Sequence, residues 1–247
     1  MSKKLHKSNA NITDLVLHNY IGSELTAQIE TLYNKVTKGD EFEFIFFSKK
    51  GKYLPQEKYI YLLKYFNKRS EDNTSILHGP EDSIDIIFPI DDVTVIRCSI
   101  MGSANFNAHM KKLSSYKNHV IFSNLARMWI KGDKTLNFMK KVKDQGNTID
   151  VDDLDMRVRL SKESDLSKDD IEKIKNLDEK SMNKITYRYK QRTSLFIKGN
   201  EDSDENVRVD LTFTRTTDSF KKLNRSVPNY ELEVEYGTKT NPKQETL

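Results

Sequence analysis

Acidic and basic side chains recur at every second position in several stretches of this 247-residue chain. Near the C-terminal end, Tyr230-Glu231-Leu232-Glu233-Val234-Glu235-Tyr236-Gly237 alternates carboxylates with apolar or aromatic residues. Near the N-terminal end, Glu41-Phe42-Glu43-Phe44-Ile45-Phe46-Phe47 opens in the same way. Alternate side chains of an extended strand share a face, so Glu231, Glu233 and Glu235 line one face of one strand, and Glu41 and Glu43 one face of another. Carboxylates crowded together repel, and burying them unpaired is costly. Some cation must offset them. Basic strands supply one kind: Arg157 and Arg159 share a face with Asp155, Ser161 and Glu163, Arg188 with Lys190 and Arg192, and Arg208 with Asp210 and Thr212. A hard divalent ion such as Mg²⁺ or Mn²⁺, which prefers carboxylate oxygens, is another. Carboxylates on one wall and Arg/Lys on the other suit a metal-bound polyanion. Arginine and lysine neutralise phosphate oxygens, and a metal there acts as a Lewis acid and helps to position water. The implied chemistry is phosphoryl transfer to water from a di- or triphosphate.

The elements carrying these residues are read from periodicity. Extended segments are predicted over Glu41–Phe47, two apolar runs within Asp82–Ile100 split at Pro89-Ile90-Asp91-Asp92, then Leu136–Lys143, Leu154–Glu163, Ile185–Lys198, Val207–Thr216 and Tyr230–Tyr236. Helices are predicted over one or two segments within Thr13–Thr37, the second from near Ser23 to near Lys38-Gly39, and over Gln56–Lys68, Ala104–Leu113, His119–Ile130 and Asp169–Leu177. One strand with a charged face is explained by an antiparallel sheet wetted on one side. Segregation of whole strands into acidic and basic sets points instead to a closed or nearly closed barrel with a charged interior, its apolar exterior covered by helices. The fold class expected is therefore α+β, with one domain over 1–237. Met1–Asn11 reads as frayed, Gly199–Asn206 as an acidic loop, and 238–247 as a tail or linker to a following domain.

Composition bounds the rest. Charged residues make up 32% of the chain, above the usual quarter, yet Lys+Arg 41 against Asp+Glu 37 leaves a net charge of only +4. The balance by itself does not announce nucleic acid. A single cysteine, Cys98, excludes an intramolecular disulfide and fits a reducing compartment. No apolar run reaches the length of a membrane span. The expectation is a soluble intracellular protein, monomeric and without a membrane partner.

The ordered set of motifs resembles the triphosphate tunnel metalloenzymes. Those are Glu-x-Glu at 41–43, Arg157-Val-Arg-Leu-Ser-Lys-Glu163, Tyr187-Arg-Tyr-Lys-Gln-Arg-Thr-Ser194, Val207-Arg-Val-Asp-Leu-Thr212 and Glu-x-Glu-x-Glu at 231–235. Within that family it looks like the metal-dependent RNA 5′-triphosphatases of fungi, protozoa and large DNA viruses, most nearly the N-terminal domain of mimivirus-type mRNA capping enzymes. The resemblance implies a closed eight-stranded antiparallel β-tunnel that removes the γ-phosphate from triphosphate-ended nascent mRNA. It implies Mg²⁺ or Mn²⁺ held by Glu41, Glu43 and one or more of Glu231, Glu233 and Glu235, Glu233 and Glu235 foremost, with Glu231 or Glu233 orienting water and Lys190 and Arg192 gripping the γ-phosphate. Arg159, Glu163, Arg188, Arg208, Asp210 and Thr212 would build the substrate wall. Arg97 matches a phosphate-binding arginine, although its alternation with Val93 and Val95 leaves an outward face open, and Lys140, Lys141 and Lys143 are equally open. Implied partners are triphosphate-ended RNA, with NTPs as further substrates, and guanylyltransferase and methyltransferase domains in this or a partner chain. A viral source would place it in the host cytoplasm, virus factory or virion.

Rival chemistries leave weaker marks. Cys98 lacks a His-Cys-x₅-Arg loop and reads as a core thiol, no GxxxxGK[ST] loop is present, and Lys131-Gly-Asp-Lys134 is not a guanylyltransferase Lys-x-Asp-Gly signature. The histidines show no metal-ligand spacing. The chain thus reads as an excised domain or a stand-alone triphosphatase. Other tunnel hydrolases, acting on NTP, tripolyphosphate or thiamine triphosphate, open with Glu-x-Glu-x-Lys, whereas position 45 is Ile. A non-catalytic RNA-binding or scaffold module of a capping complex would not need so many glutamates.

Overall fold

The computed structural model describes residues 22–37, 40–46, 53–70, 75–177, 185–198 and 206–237. The expected frayed N-terminus, the helix around Leu15 and Val16, most of the acidic loop and the C-terminal tail lie outside them. In chain order the elements are α1 (Gly22–Tyr33), β1 (Asp40–Phe46), α2 (Gln56–Arg69), β2 (Ser75–Pro89), β3 (Thr94–Met101), α3 (Ser103–Leu113), α4 (Asn118–Ile130), β4 (Leu136–Val151), β5 (Met156–Ser164), α5 (Lys168–Lys175), β6 (Thr186–Lys198), β7 (Asn206–Thr217) and β8 (Pro228–Gly237). The strands close into an antiparallel barrel in the order β1-β5-β4-β3-β2-β6-β7-β8, with β8 paired back to β1.

The apolar core lies outside the barrel wall. On β2, β3 and β4 the outward row is Ile84, Ile86, Phe88, Ile96, Cys98, Ile100, Leu136 and Phe138, all buried under Phe106, Met110, Leu113, Phe122 and Leu125 of α3 and α4. Phe42 of β1 with Met156, Val158 and Leu160 of β5 packs under Ile29 and Leu32 of α1. Leu195 of β6 and Leu211 of β7 pack under Tyr59 and Phe66 of α2. Burial of these rows supplies the hydrophobic stabilisation and commits each strand's register, since a one-residue slip would turn the charged row into the core.

Several expected boundaries shift, each for a local reason. The strand expected from Leu154 begins at Met156, because 152–154 form a 3₁₀ turn and Asp155 is left-handed at φ 47°. β2 starts at Ser75, not Asp82, running through Gly79-Pro80 as a bulge between His78 and Glu81. β4 continues past Lys143 to Val151 through a register shift between Lys143 and Thr148, which changes the inward row from odd to even numbers. α1 ends at Tyr33, short of Lys38-Gly39. Among the described residues, no helix is long and apolar enough to cross a membrane.

Candidate active site in the barrel lumen

Opposite the outward apolar rows, every strand turns a polar or charged row into the lumen. β1 contributes Glu41 and Glu43, which sit beside Ser161 and Arg159 of β5, and Glu43 also lies across from Glu235 of β8. β6 brings Arg188, Lys190, Arg192 and Ser194, which lie across from Thr216, Thr214, Thr212 and Asp210 of β7. Arg208, Asp210 and Thr212 in turn face Glu235, Glu233 and Glu231. The sheet register thus places the five glutamates of β1 and β8 on one interior surface with Arg159, Arg188, Lys190, Arg192, Arg208, Asp210 and Thr212.

Their contacts sort into a ring of acid–base pairs. Lys141 Nζ lies 2.5 Å from Glu41, 3.6 Å from Glu43 and 3.4 Å from Glu163. Arg159 is 2.5 Å from Glu43, and Arg97 is 3.1 Å from Glu163. Arg97 therefore faces inward. Of the three lysines left open, Lys141 points into the lumen, and Lys140 points out to Asp170 at 3.0 Å; the side chain of Lys143 lies outside the described residues. Arg188 pairs with Glu231, which also accepts from Thr214 at 3.3 Å. Arg192 spans Asp210 at 3.3 Å and Glu233 at 3.8 Å. Arg208 spans Asp210 at 3.1 Å and pairs with Glu235. Arg157 sits with Asp150 at 2.7 Å, each more than a third exposed, and so marks the rim rather than the centre.

One participant escaped the sequence reading. Asp85, 1% exposed, holds Lys190 at 2.8 Å and accepts from Ser99 at 2.7 Å. Its signal was the alternation of Ser83 and Asp85 with Ile84, Ile86 and Phe88, masked by apolar Ile87. Ser194, which ends the basic-strand motif, donates to Asp210 at 2.6 Å.

Electrostatics of the lumen are those of charges taken out of water. Burial lowers the Lys190 ammonium below its ordinary range, Arg192 and Arg188 add to that, and Asp85 only partly offsets it. Burial would also lower Lys141, but Glu43, Glu41 and Glu163 together hold it raised. The Asp85 carboxyl, pushed up by burial, is held low by Lys190 and Arg97. Burial raises Glu231 against the pull of Arg188. Glu235 is pushed up to about 7, by burial first and then by Glu41, Asp210 and Glu43, with Arg208 opposing. Arg208 alone thus does not offset the burial of the Glu235 carboxylate beside Glu41, Asp210 and Glu43. Among the described residues no set of histidines, cysteine or carboxylates already converges on a single metal position, because each glutamate turns instead to an arginine or lysine. The donor set nevertheless suits a hard divalent ion, being all carboxylate oxygen and short of positive charge.

The basic wall has unmet capacity as well. Arg192 Nε and Thr212 Oγ1 are buried and lack a hydrogen-bond partner, and so is Arg97 Nε. Buried donors are ordinarily paired, and Arg192 and Thr212 are cross-strand neighbours on the lumen face. An anion with several acceptor oxygens would satisfy them.

A closed eight-stranded antiparallel barrel with such a lumen defines the class: a β-tunnel with its core on the outside. Solved structures share the fold. The RNA triphosphatase domain of a trifunctional mimivirus mRNA capping enzyme matches with a TM-score of 0.62 at 20% identity, over 90% of this chain and 91% of that one. A monoclinic form of the mimivirus capping enzyme triphosphatase matches with a TM-score of 0.61 at 20% identity, over 88% and 90%. No protein-family model and no curated protein sequence matches.

Proposed function

We propose that this protein is a divalent-metal-dependent RNA 5′-triphosphatase, which removes the γ-phosphate of triphosphate-ended RNA in the first step of cap formation. The observation that carries the reading is the pair of orphaned buried donors, Arg192 Nε and Thr212 Oγ1, set in a lumen whose other walls are carboxylates. The shared fold with capping-enzyme triphosphatase domains supports it.

In this reading Arg192, Thr212 and Lys190 bind the terminal phosphate, with Asp85 holding Lys190 in place. Arg97, Arg159, Arg188 and Arg208 neutralise the remaining phosphates, braced by Glu163 and Asp210. Glu41, Glu43, Glu233 and Glu235 would hold Mg²⁺ or Mn²⁺, which when bound supplies Lewis-acid charge to the phosphate oxygens. Glu231 and Glu233 orient a water and take its proton as its oxygen bonds to the γ-phosphorus. The β–γ bridging bond breaks, its electron pair stays on the β-phosphate, and orthophosphate and diphosphate-ended RNA leave.

Position 45 separates this reading from the other tunnel hydrolases. Ile45 pairs with Glu233 and Arg157 on the inward row, the place a Glu-x-Glu-x-Lys opening would fill with an ammonium. Guanylyltransferase and methyltransferase domains are the expected partners, because a diphosphate end is the substrate that capping next requires. The test incubates purified protein with triphosphate-ended RNA in Mg²⁺, in Mn²⁺ and in a chelator. Metal-dependent release of orthophosphate with a diphosphate-ended product is expected; absence of release under all three conditions rejects the enzyme.

A further inference from the structure

The inward row of β6 reads Arg188, Lys190, Arg192, Ser194 and then Phe196. A phenylalanine at the end of a charged row is out of place unless it has apolar company. None of the helix-covered clusters contains it: Leu195, on the other face, is the neighbour that packs under α2. Phe196 instead meets the ring of His78, edge-on, with centroids 4.9 Å apart. His78 is exposed, and Ile76, directly across from Phe196, is 44% exposed. The other cross-strand neighbour of Phe196 is Arg208. These residues form a half-apolar, ring-bearing ledge at one mouth of the tunnel. At the opposite mouth the inward rows end in Ile45, Ile87, Arg157 and Thr216, none of them aromatic.

Position along the strand gives the ledge its meaning. Phe196 lies four residues beyond Arg192 on the same face, about 13 Å at the rise of a β-strand. That is a span for a triphosphate and ribose to bridge, leaving the base at the ring. Lys68 and Arg69 at the end of α2 reach the same rim, where Ser75 Oγ donates to the Arg69 carbonyl at 2.8 Å.

We propose that Phe196 and His78 form a nucleobase-stacking subsite for the 5′-terminal nucleotide of the RNA; this rests on the triphosphatase reading. Stacking on aromatic rings is tolerant of base identity, so the subsite selects a nucleoside-bearing triphosphate over an inorganic one without reading sequence.

The test is equilibrium binding in Mg²⁺ to two probes. One is a short RNA whose 5′-triphosphate carries a non-cleavable β,γ-imido bridge; the other is imidotriphosphate with no nucleoside. Wild type should prefer the RNA by about tenfold or more, Phe196→Ala and His78→Ala should bring the ratio towards one, and Phe196→Trp should restore it. A wild-type ratio near one, or variants that weaken both probes equally, overturns the subsite. Should the protein show the ratio yet release no phosphate from cleavable RNA, the triphosphatase reading falls and the subsite stands. Binding of neither probe overturns both.

Discussion

Arg192 and Thr212 stand across from each other on β6 and β7, and each keeps a buried polar atom without a partner. Such an atom costs stability in the free protein, and a substrate phosphate would recover it. Thr212→Val therefore separates the two roles. It should leave the melting temperature unchanged or raise it by about 2 °C, and lower kcat/KM for triphosphate-ended RNA about tenfold, the worth of one hydrogen bond to a charged group. Thermal unfolding and steady-state phosphate release together read this out; unchanged kcat/KM in a stable variant would remove Thr212 from the site. Lys190 belongs to the same scale. Its ammonium is lowered by burial and by two neighbouring guanidiniums, so its charge in the lumen depends on Asp85.

Two bulges, in β2 and β4, bring the inward rows into register along the wall. At Gly79 the backbone is left-handed at φ 104°, and a Cβ there would lie 2.5 Å from the carbonyl oxygen of Arg192. Gly79→Ala should lower unfolding free energy by about 1–3 kcal/mol, more than Gly132→Ala, where φ is 95° but nothing lies within 4 Å. Equal losses in denaturant unfolding would mean that the contact with β6 does not matter. The same bulges mark where the sequence stopped being legible. Strict alternation made the glutamate strands and the Arg/Lys strand readable, because a tunnel with an outside core enforces period 2 on both faces. The part of β2 before Asp82 and the continuation of β4 past Lys143 were missed, because a bulge cancels the very periodicity being counted. Asp85 was hidden for a related reason: Ile87, at a lumen position, made its strand look apolar on both sides. The helices were legible as elements, but the strands they cover become known only from the closed order of the barrel.

At the scale of the molecule the barrel inverts the usual arrangement, with core outside and charge within, and its stability is tied to the charge state of the lumen. Glu235, pushed up to about 7 in the folded protein against an ordinary value of 4.5, binds a proton more readily folded than unfolded. The metal-free protein therefore loses stability as pH rises from about 4.5 to about 7, and the full penalty stands above that window. Glu235→Gln should stabilise the metal-free protein by about 1–3 kcal/mol at pH 8 and by little at pH 4.5, while Arg208 keeps Asp210 at 3.1 Å. Urea unfolding at the two pH values checks this, and an equal effect at both would show that Glu235 is not the titrating group. Divalent metal should shrink the pH 8 difference by neutralising the same carboxylates. Catalysis in the lumen is checked by γ-phosphate release from triphosphate-ended RNA in Mn²⁺ by wild type, Glu233→Gln and the exposed control Lys222→Ala. A loss of at least about 100-fold is expected in Glu233→Gln, as for removal of a strong electrostatic contact at a reacting centre, with Lys222→Ala matching wild type; wild-type rates in Glu233→Gln would place the chemistry elsewhere.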